Sequence, residues 1–369
     1  MDDKQLTQLR KATLATKEKE KEKPKIYFPT GSTLLDIVVG GGEKIGFGMG
    51  YPAGTVCRDH GPSGTAKSYK ATELIASSYA RYKDKFRWRY CDPEYGNTID
   101  TETLYGFNMF PPPEKNEREV VTVEDFEYDV HKWLDSLQPD ECGIYVLDSL
   151  DSITDQATLE RKDKRHKAFD RGKEFDDGTY ALNFQKFLSQ EFFRGLESKL
   201  EKKNAMLYII SQVRDNVGAG MYAPKDRVSG GRAIGFHETV RILSKVRQKE
   251  GSDDRPTGIT LKVTAEKVRH PRPFRSCYVS IVFTYGIDNV ADCIDFLYDL
   301  RSSDTGKLLK RAEAGLDWDG IEMSRDELIQ YIGSNRLQKE LDRRVIDKWE
   351  ALEDAVAVSR PPKFADEEE

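Results

Sequence analysis

The amino-acid sequence predicts an α/β protein whose central sheet is mainly parallel and carries helices on both faces, with an antiparallel extension. Three observations predict this fold class. Apolar, strand-like segments alternate with amphipathic helical segments, as in parallel sheets that are covered on both sides. A glycine-rich turn at residues 61–68 lies between a predicted strand and a predicted helix. The later predicted strands follow one another with little helix between them, which indicates antiparallel pairing.

These strands and helices occupy about residues 28–300. Strands are predicted where short apolar or alternating runs occur, and helices where apolar residues recur every three or four positions. The helix at 180–201 has leucines and phenylalanines at that spacing. The predicted strands are 54–59, 86–91, 143–148, 205–211, 239–246, 258–265 and 277–284, and the predicted helices are 67–82, 122–137 and 180–201.

Residues 1–27 are predicted to hold a short amphipathic helix and a linker. Three leucines lie on or near one face of a helix over 3–16, and a charge-alternating run then leads to Pro24. Proline ends a helix because it lacks the backbone N–H. A helix this short has too little apolar surface to be stable alone, so we expect it to dock on another surface.

The C-terminal part of the chain differs in composition from the core. Residues 301–365 are rich in charged residues and helix formers, and they are predicted to form a small α-rich domain anchored by Trp318 and Trp349. Residues 366–369 are an acidic tail. The net charge of −6 includes that tail, so the remainder of the 369 residues is close to neutral.

The composition excludes several classes of protein. No apolar run approaches the roughly 18 residues of a membrane-spanning helix, and the N-terminus has no signal-peptide core. The five cysteines lie far apart without Cys-x-x-Cys spacing, which predicts isolated, reduced thiols and no zinc site. We therefore expect a cytoplasmic protein with no membrane partner.

The glycine-rich turn is the strongest local motif. Backbone N–H groups of such a turn surround phosphate oxygens at the start of a helix, Lys67 is placed to reach the β- and γ-phosphates, and the Ser68 hydroxyl is placed to bind Mg²⁺. The usual glycine before the lysine is Ala66 here, and we expect it to keep a negative φ because the left-handed region is costly for alanine. The preceding strand ends in the polar run 58–60, a second feature that weakens the match to a phosphate-binding loop. A glycine-rich surface turn is the alternative.

Two carboxylate segments follow in the order that a nucleotide site requires. Residues 144–148 are an apolar strand that ends in Asp148, the form of a Walker B element, and 92–94 is an Asp-Pro-Glu segment at the end of the intervening strand. Ligands of parallel sheets bind at the carboxyl ends of strands, so these acids are expected near the turn. Acids that merely cap turns are the alternative.

Over about residues 28–300 the chain resembles the RecA recombinases, and most closely the UvsX-type recombination proteins of tailed bacteriophages. The resemblance lies in the segments 28–36, 61–68, 92–96 and 148–150, and the UvsX version of the loop also lacks the glycine before the lysine. It implies a RecA-like P-loop NTPase core that binds ATP and Mg²⁺. It also implies a recombinase that forms filaments on single-stranded DNA and pairs it with duplex DNA, with hydrolysis stimulated by single-stranded DNA.

The resemblance assigns roles to particular residues. Glu94 would polarise the attacking water, Lys67 would bind the phosphates, and Gln212 would sense the γ-phosphate. The alternative for Glu94 is an acid that caps a turn at the end of a strand. The alternative for Gln212 is a polar residue that ends a buried strand. Ser68 and Asp148 would hold Mg²⁺. The ATP-binding residues would be Gly61, Pro62, Ser63, Gly64, Thr65, Ala66, Lys67, Ser68 and Asp148.

Two segments are predicted to contact DNA. Residues 213–230 form a basic, glycine-containing loop with an aromatic side chain, which suits single-stranded DNA. Residues 157–178 occupy the place of the family's first DNA loop, although a solvated charged loop is the alternative there. The DNA-binding residues of the second loop would be Arg214, Met221, Tyr222, Lys225, Arg227, Gly230, Gly231 and Arg232.

The resemblance also implies contacts between subunits. Lys267 and Arg269 would reach the ATP of the neighbouring subunit, with strand alternation placing them on one side, and solubilising charges are the alternative. The N-terminal helix with residues 26–28 would dock on the next subunit. The expected partners are both forms of DNA, further copies of the chain, and possible single-strand-binding and loader proteins.

The family's adenine-stacking tyrosine has no clear equivalent. Its position falls near Thr101, with Tyr95 and Tyr105 nearby. Two other functions suit the same fold. A hexameric helicase-type motor would need a partner-binding domain and a translocation arginine finger, which the sequence does not reveal, and a non-catalytic ATP-binding mediator would be favoured by Ala66.

Overall fold

The computed structural model describes residues 26–111, 119–172, 192–193, 195–215, 226–228, 231–252, 254–358 and 360. The strands are β1 (Tyr27–Phe28), β2 (Tyr51–Pro52), β3 (Thr55–Gly61), β4 (Phe86–Cys91), β5 (Cys142–Leu147), β6 (Ala205–Asp215), β7 (Asp226–Val228), β8 (Val240–Ser252), β9 (Arg255–Lys267), β10 (Ser276–Val282), β11 (Gly286–Ile287), β12 (Leu316–Trp318) and β13 (Ile321–Met323). The α-helices are α1 (Thr33–Gly40), α2 (Lys67–Tyr82), α3 (Thr101–Tyr105), α4 (Val123–Ser136), α5 (Gln156–Asp170), α6 (Leu196–Lys202), α7 (Gly231–His237), α8 (Asn289–Leu297), α9 (Arg325–Ser334) and α10 (Gln338–Val356).

One large sheet organises the described part of the chain. Eight of its strands follow the order β11-β10-β9-β8-β3-β6-β5-β4, and β7 pairs with β6. Neighbouring strands in the run β8-β3-β6-β5-β4 are parallel. β8, β9, β10 and β11 pair antiparallel, as β7 does with β6. The predicted fold class, a RecA-like α/β core with an antiparallel extension, is confirmed. Each predicted strand has a counterpart, with the same ends at 86–91 and with ends that differ by up to six residues elsewhere.

Helices cover both faces of the sheet, so its central strands are apolar throughout. All six residues of β5 are buried. Ile144 and Val146 contact one hydrophobic cluster with α1 and α2, whereas Tyr145 and Leu147 contact a second cluster with α4 and α6. This division follows from the two-residue alternation of strand side chains. It explains why β5 appears in the sequence as a continuous apolar run.

The first described residues belong to the chain's own core. Tyr27 and Phe28 form β1, which pairs antiparallel with β2. Phe28 is fully buried, and its ring lies 6.1 Å from the rings of both Tyr82 and Phe86. The expectation that residues 26–28 dock on another subunit is therefore wrong for Tyr27 and Phe28, because their apolar surface is already used within the chain. The predicted helix at 3–16 lies outside the described residues.

The C-terminal segment packs on the central fold. Trp318 and Trp349 are buried as predicted, and both contribute to the same hydrophobic cluster as α1 and the sheet. The Trp349 and Phe296 rings lie 5.7 Å apart, which joins α10 to α8. The segment also contains the hairpin β12–β13, which the prediction of an α-rich segment omitted. The acidic tail at 366–369 lies outside the described residues.

Three further features of the described residues bear on the predictions. All five cysteines are buried and unpaired, as predicted. No group of three potential metal-binding side chains was found in this part of the chain, and none of its helices is long and apolar enough to cross a membrane. The predicted helix at 180–201 is described only near its end, where α6 is helical.

Candidate nucleotide-binding site

The carboxyl ends of β3, β4, β5 and β6 surround a cavity of about 330 Å³. Its position follows the general rule for parallel sheets, whose ligands bind where the strands end. The predicted site residues that line it are Ser63, Gly64, Thr65, Ala66, Lys67, Ser68, Glu94, Asp148 and Gln212. Four separate segments of the sequence therefore meet at one place.

The turn at 61–68 requires glycine at its first position. A Cβ at Gly61 would lie 2.6 Å from the Ser244 carbonyl oxygen, closer than side chains are found to approach backbone. Ala66, directly before α2, has φ 49° and ψ 38°, which is left-handed. The expectation of a negative φ at Ala66 is therefore wrong. The turn imposes the glycine-like conformation on an alanine, at a cost of about 1 to 2 kcal/mol.

Lys67 is the first residue of α2, and its side chain folds back over the turn. Its Nζ donates to the carbonyl oxygens of Gly61 at 3.1 Å and Pro62 at 2.9 Å. Burial lowers the pKa of Lys67, and nearby Asp59 and Asp148 oppose that shift. A desolvated ammonium held at the mouth of the loop is suited to bind a phosphate oxygen, because a low-dielectric environment strengthens the attraction.

Ser68 and Asp148 are brought into contact from α2 and the end of β5. The Ser68 Oγ donates to Asp148 Oδ2 at 2.6 Å, and the Tyr90 hydroxyl donates to the same oxygen at 2.7 Å. Burial raises the pKa of Asp148, and these two hydrogen bonds lower it. The sequence analysis missed Tyr90. The alternation of β4, which puts Phe86, Trp88 and Tyr90 on one face, is the signal that identifies it.

Glu94 reaches the cavity from the segment after β4. Its Oε1 accepts hydrogen bonds from the hydroxyls of Ser149 and Ser152, the latter at 2.6 Å. Asp92 shapes this segment, because its carboxylate accepts from the backbone N–H of Glu94 at 3.1 Å and of Asn97 at 2.9 Å. Two serines that the sequence analysis did not select therefore hold the predicted catalytic carboxylate.

Gln212 lines the cavity from β6, and its backbone is fixed by a further acid. The N–H of Gln212 donates to Asp151 Oδ2 at 2.7 Å. Asp151 lies in the short 3-10 helix Leu150–Ser152, directly after the strand that carries Asp148. The position of Gln212 thus depends on the same segment that holds Glu94. Sequence spacing alone gave no sign of this contact, because Asp151 and Gln212 are 61 residues apart.

The polar residues of β3, which the sequence analysis counted against a phosphate loop, are buried and paired. Asp59 forms an ion pair with Lys70 of α2 at 2.6 Å and accepts from the Tyr208 hydroxyl at 2.9 Å. Arg58 pairs with Glu238 at 2.7 Å, and His60 Nε2 lies 2.9 Å from Glu266 Oε2. These partners satisfy the requirement that buried charges be paired. The polar strand end is therefore compatible with the central position of β3.

The predicted DNA segments are described only in part. β6 continues through Asp215 and pairs with β7, so residues 213–215 and 226–228 of the predicted loop at 213–230 are in strands. Arg214 lies opposite Arg227 in that pairing, and Gly231 and Arg232 begin α7. Met221, Tyr222, Lys225 and Gly230 lie outside the described residues.

The predicted loop at 157–178 is described as far as residue 172 and is helical through Asp170. α5 extends from Gln156 to Asp170, and the Asp155 side chain caps its first turn by accepting from the N–H of Thr158 at 3.0 Å. No side chain of this helix is fully buried. The expectation of a loop is wrong for this part, since the run is rich in strong helix formers and has an N-cap.

Lys267 and Arg269 do not line the cavity of their own chain. Lys267 ends β9 and donates to the Gly235 carbonyl oxygen at 2.7 Å, and burial lowers its pKa. Arg269 lies beyond the strand, with its side chain 61% exposed and 3.8 Å from Glu197. Strand alternation therefore does not relate the two residues, and that part of the prediction is wrong.

The tyrosines near the expected adenine position face elsewhere. Tyr95 is 75% exposed, and its hydroxyl donates to Glu119. The Tyr105 hydroxyl donates to Glu73 at 2.8 Å. Neither lines the cavity, whereas Tyr69 and residues 96–99 do.

The fold is that of a RecA-like α/β core, a mainly parallel sheet whose strand ends surround the glycine-containing loop, Lys67 and the Ser68–Asp148 pair. Comparison with known proteins agrees with this class. Residues 171–288 match the family model of the RecA N-terminal domain. The chain is 24% identical over 329 residues to Protein RecA of Staphylococcus aureus strains JH9 and Newman, a match that covers 86% of this chain and 82% of each relative. The similarity thus extends over most of the chain.

Proposed function

We propose that this protein is an ATP-dependent DNA recombinase of the RecA family, closest to the UvsX-type proteins of tailed bacteriophages. It would act in the cytoplasm, which is that of the host if the protein is phage-encoded. One observation carries the proposal: Lys67, Ser68, Glu94, Asp148 and Gln212 meet at one cavity on a RecA-like sheet. The similarity to RecA proteins over 86% of the chain supports a recombinase and an ATPase. The proposed division is an N-terminal segment 1–27, an ATPase core 28–300, a C-terminal domain 301–365 and a tail 366–369.

Ser68 and Asp148 would hold Mg²⁺ with the nucleotide. Hydroxyl and carboxylate oxygens are the ligands that Mg²⁺ prefers, and one or two such protein groups normally suffice because phosphates and water supply the rest. The 2.6 Å contact between the Ser68 hydroxyl and Asp148 supports this assignment. Bound Mg²⁺ would neutralise negative charge on the phosphates.

Lys67 and Glu94 would carry the chemistry of ATP hydrolysis. Residues 61–66 would surround the phosphates with backbone N–H groups, and Lys67 would stabilise charge on the transferred phosphoryl group. Glu94 would orient the attacking water, held in place by Ser149 and Ser152. Gln212 would contact the γ-phosphate. Because Gln212 precedes the segment 213–230, its movement would couple ATP binding to DNA binding.

DNA and neighbouring subunits would complete the function. The DNA-binding residues would be those predicted at 214–232, with Lys267 and Arg269 reaching the ATP of the next subunit in a helical filament. Neither residue lines the cavity of its own chain, as a role between subunits requires. A single-strand-binding protein and a loader are further possible partners.

Measurement of ATP hydrolysis with and without single-stranded DNA, together with electron microscopy of the complexes, tests the proposal. We expect DNA-stimulated hydrolysis and helical filaments. Closed rings would instead support a hexameric motor. Filaments without hydrolysis would support a non-catalytic mediator.

A further inference from the structure

Lys267, at the end of β9, and the turn that follows it together carry four cations. This turn, residues 268–275, connects β9 to β10 and is closed by hydrogen bonds of 2.9 Å from the Phe274 N–H to the Ala265 carbonyl and from the Ala265 N–H to the Arg275 carbonyl. Lys267 stands at its base, and Arg269, Arg272 and Arg275 follow. The proposed function requires two of these cations, Lys267 and Arg269, to be directed at a neighbouring subunit.

The C-terminal helix α10 binds the other two cations with good geometry. Arg272 Nη1 and Nη2 donate to the two carboxylate oxygens of Glu350 at 2.9 and 2.8 Å. Arg275 Nε and Nη2 donate to the two oxygens of Glu353 at 2.5 and 2.7 Å. Planar two-point contacts of this kind fix orientation as well as distance. The hydrogen bonds to Glu350 and Glu353 raise the pKa of Arg272 and Arg275.

The opposite side of the turn is fixed by α1. The His270 ring lies with Nε2 3.2 Å from the Val38 carbonyl oxygen, and its Nδ1 accepts from the Arg272 N–H at 3.2 Å. Gly41 makes this contact possible, because a Cβ there would lie 2.7 Å from the His270 ring. The turn is therefore held between two helices.

These contacts place the three arginines of the turn in different environments. The Glu350 and Glu353 side chains are only 11% and 9% exposed and neutralise Arg272 and Arg275. Arg269 remains 61% exposed, and its guanidinium lies 3.8 Å from the Glu197 carboxylate. Exposed ion pairs contribute little to stability. Two neighbouring two-point pairs from one helix instead fix the direction of the turn.

We propose that Glu350 and Glu353 are positioning residues, and that α10 sets the placement of Lys267 and Arg269 toward the neighbouring nucleotide site. This inference rests on the proposed function, because it needs those two cations to act between subunits. A displacement of about 1 Å can cost on the order of a hundredfold in rate. The C-terminal helix would thereby control hydrolysis at a site it does not touch.

Mixed assemblies of the full-length chain test the inference. The donor is the Glu94→Gln variant, which keeps the turn and its cations but cannot hydrolyse ATP at its own site. An acceptor, Lys267→Ala with Arg269→Ala, keeps its own P-loop but lacks the cations. Hydrolysis should return on mixing, because Lys267 and Arg269 of a donor subunit then reach the intact nucleotide site of a neighbouring acceptor subunit. Adding Glu350→Gln and Glu353→Gln to the donor should lower this restored rate by about tenfold or more, whereas adding them to the acceptor should leave it unchanged.

Two controls separate positioning from folding. Asp319→Asn in the donor removes a carboxylate that pairs with Arg344, a residue of α10 away from the turn. This change should leave the restored rate unchanged. Reversing one pair, with Arg275→Glu and Glu353→Arg in the donor, should restore most of the rate that Glu353→Gln loses. Equal loss in donor and acceptor, or no loss in the donor, would overturn the positioning role. Failure of the unmodified donor and acceptor to restore hydrolysis would instead refute the proposed contact between subunits.

Discussion

The Ser68 hydroxyl donates a 2.6 Å hydrogen bond to the Asp148 carboxylate, which joins the start of α2 to the end of β5. These residues are 80 positions apart, and they are the two that we propose as Mg²⁺ ligands. The Tyr90 hydroxyl approaches the same carboxylate oxygen from β4. Three elements thus determine where a metal-bound phosphate would lie.

Asp148→Asn should weaken binding of ATP in the presence of Mg²⁺ by about ten- to a hundredfold, since a charge-assisted contact contributes roughly 1.5 to 3 kcal/mol. Titration calorimetry with a non-hydrolysable ATP analogue measures the change. Tyr90→Phe is the matched control: it removes one hydrogen bond to Asp148 without removing the charge and should change affinity only slightly. Equal affinities of Asp148→Asn and the unmodified protein would contradict the assignment.

Glu94→Gln should retain ATP and DNA binding and lose at least about a hundredfold in turnover, because an amide cannot accept the proton of the attacking water. Steady-state hydrolysis and DNA-binding assays on one preparation separate the two effects. Ser152→Ala removes one of the two hydroxyls that hold Glu94 and should cause a smaller loss. Unchanged turnover in Glu94→Gln would mean that another group activates the water.

Ala66→Gly should raise the free energy of unfolding by about 1 kcal/mol, because glycine occupies the left-handed region without the Cβ penalty. Urea denaturation monitored by circular dichroism measures this change. Ala76→Gly, within the same helix α2, should lower the free energy of unfolding by about 1 kcal/mol, as glycine does in helix interiors. Changes of the same sign in both variants would show that the Ala66 conformation is not strained.

Lys70→Met should lower the free energy of unfolding by about 3 to 5 kcal/mol, because it leaves the Asp59 carboxylate buried without its cation. Adding Asp59→Leu to this variant should recover much of the loss, since the charge is then absent. Denaturant unfolding of the single and double variants measures the coupling. If Lys70→Met were as stable as the unmodified protein, the ion pair would not contribute to holding α2 against β3.

Asp292 should make the protein less stable as the pH rises from about 4 to 7. Burial raises the pKa of Asp292 to about 7, and nearby Arg301 and two hydrogen bonds from Ser280 only partly oppose this. Between the ordinary pKa and the raised one, the folded state holds a proton that the unfolded state has released. The free energy of unfolding therefore falls with pH in this window.

Asp292→Asn removes that titration, so the difference in unfolding free energy between pH 5 and pH 8 should shrink. Denaturant unfolding at both values measures it. Asp326→Asn, in which an exposed carboxylate of α9 is changed, should leave the difference as it is in the unmodified protein. An unaltered pH dependence in Asp292→Asn would show that Asp292 is ionised in the folded state.

The sequence by itself determined the strands of the sheet, the helix after the loop, and the order of Lys67, Glu94, Asp148 and Gln212. These follow from local rules, because side chains alternate along a strand and ligands bind where parallel strands end. The polar run 58–60 and the conformation of Ala66 were misjudged because their causes are not local.

Only the tertiary structure decided which distant groups meet. The partners of Asp59 and His60 lie in other elements, and Glu350 is 78 residues from Arg272. Such contacts depend on how helices and strands pack, and no spacing in the sequence encodes the distance between them. The sequence thus identified the residues suited to phosphate chemistry. Packing decided what holds Glu94 in place, how β3 carries its charges, and which helix supports the turn after Lys267.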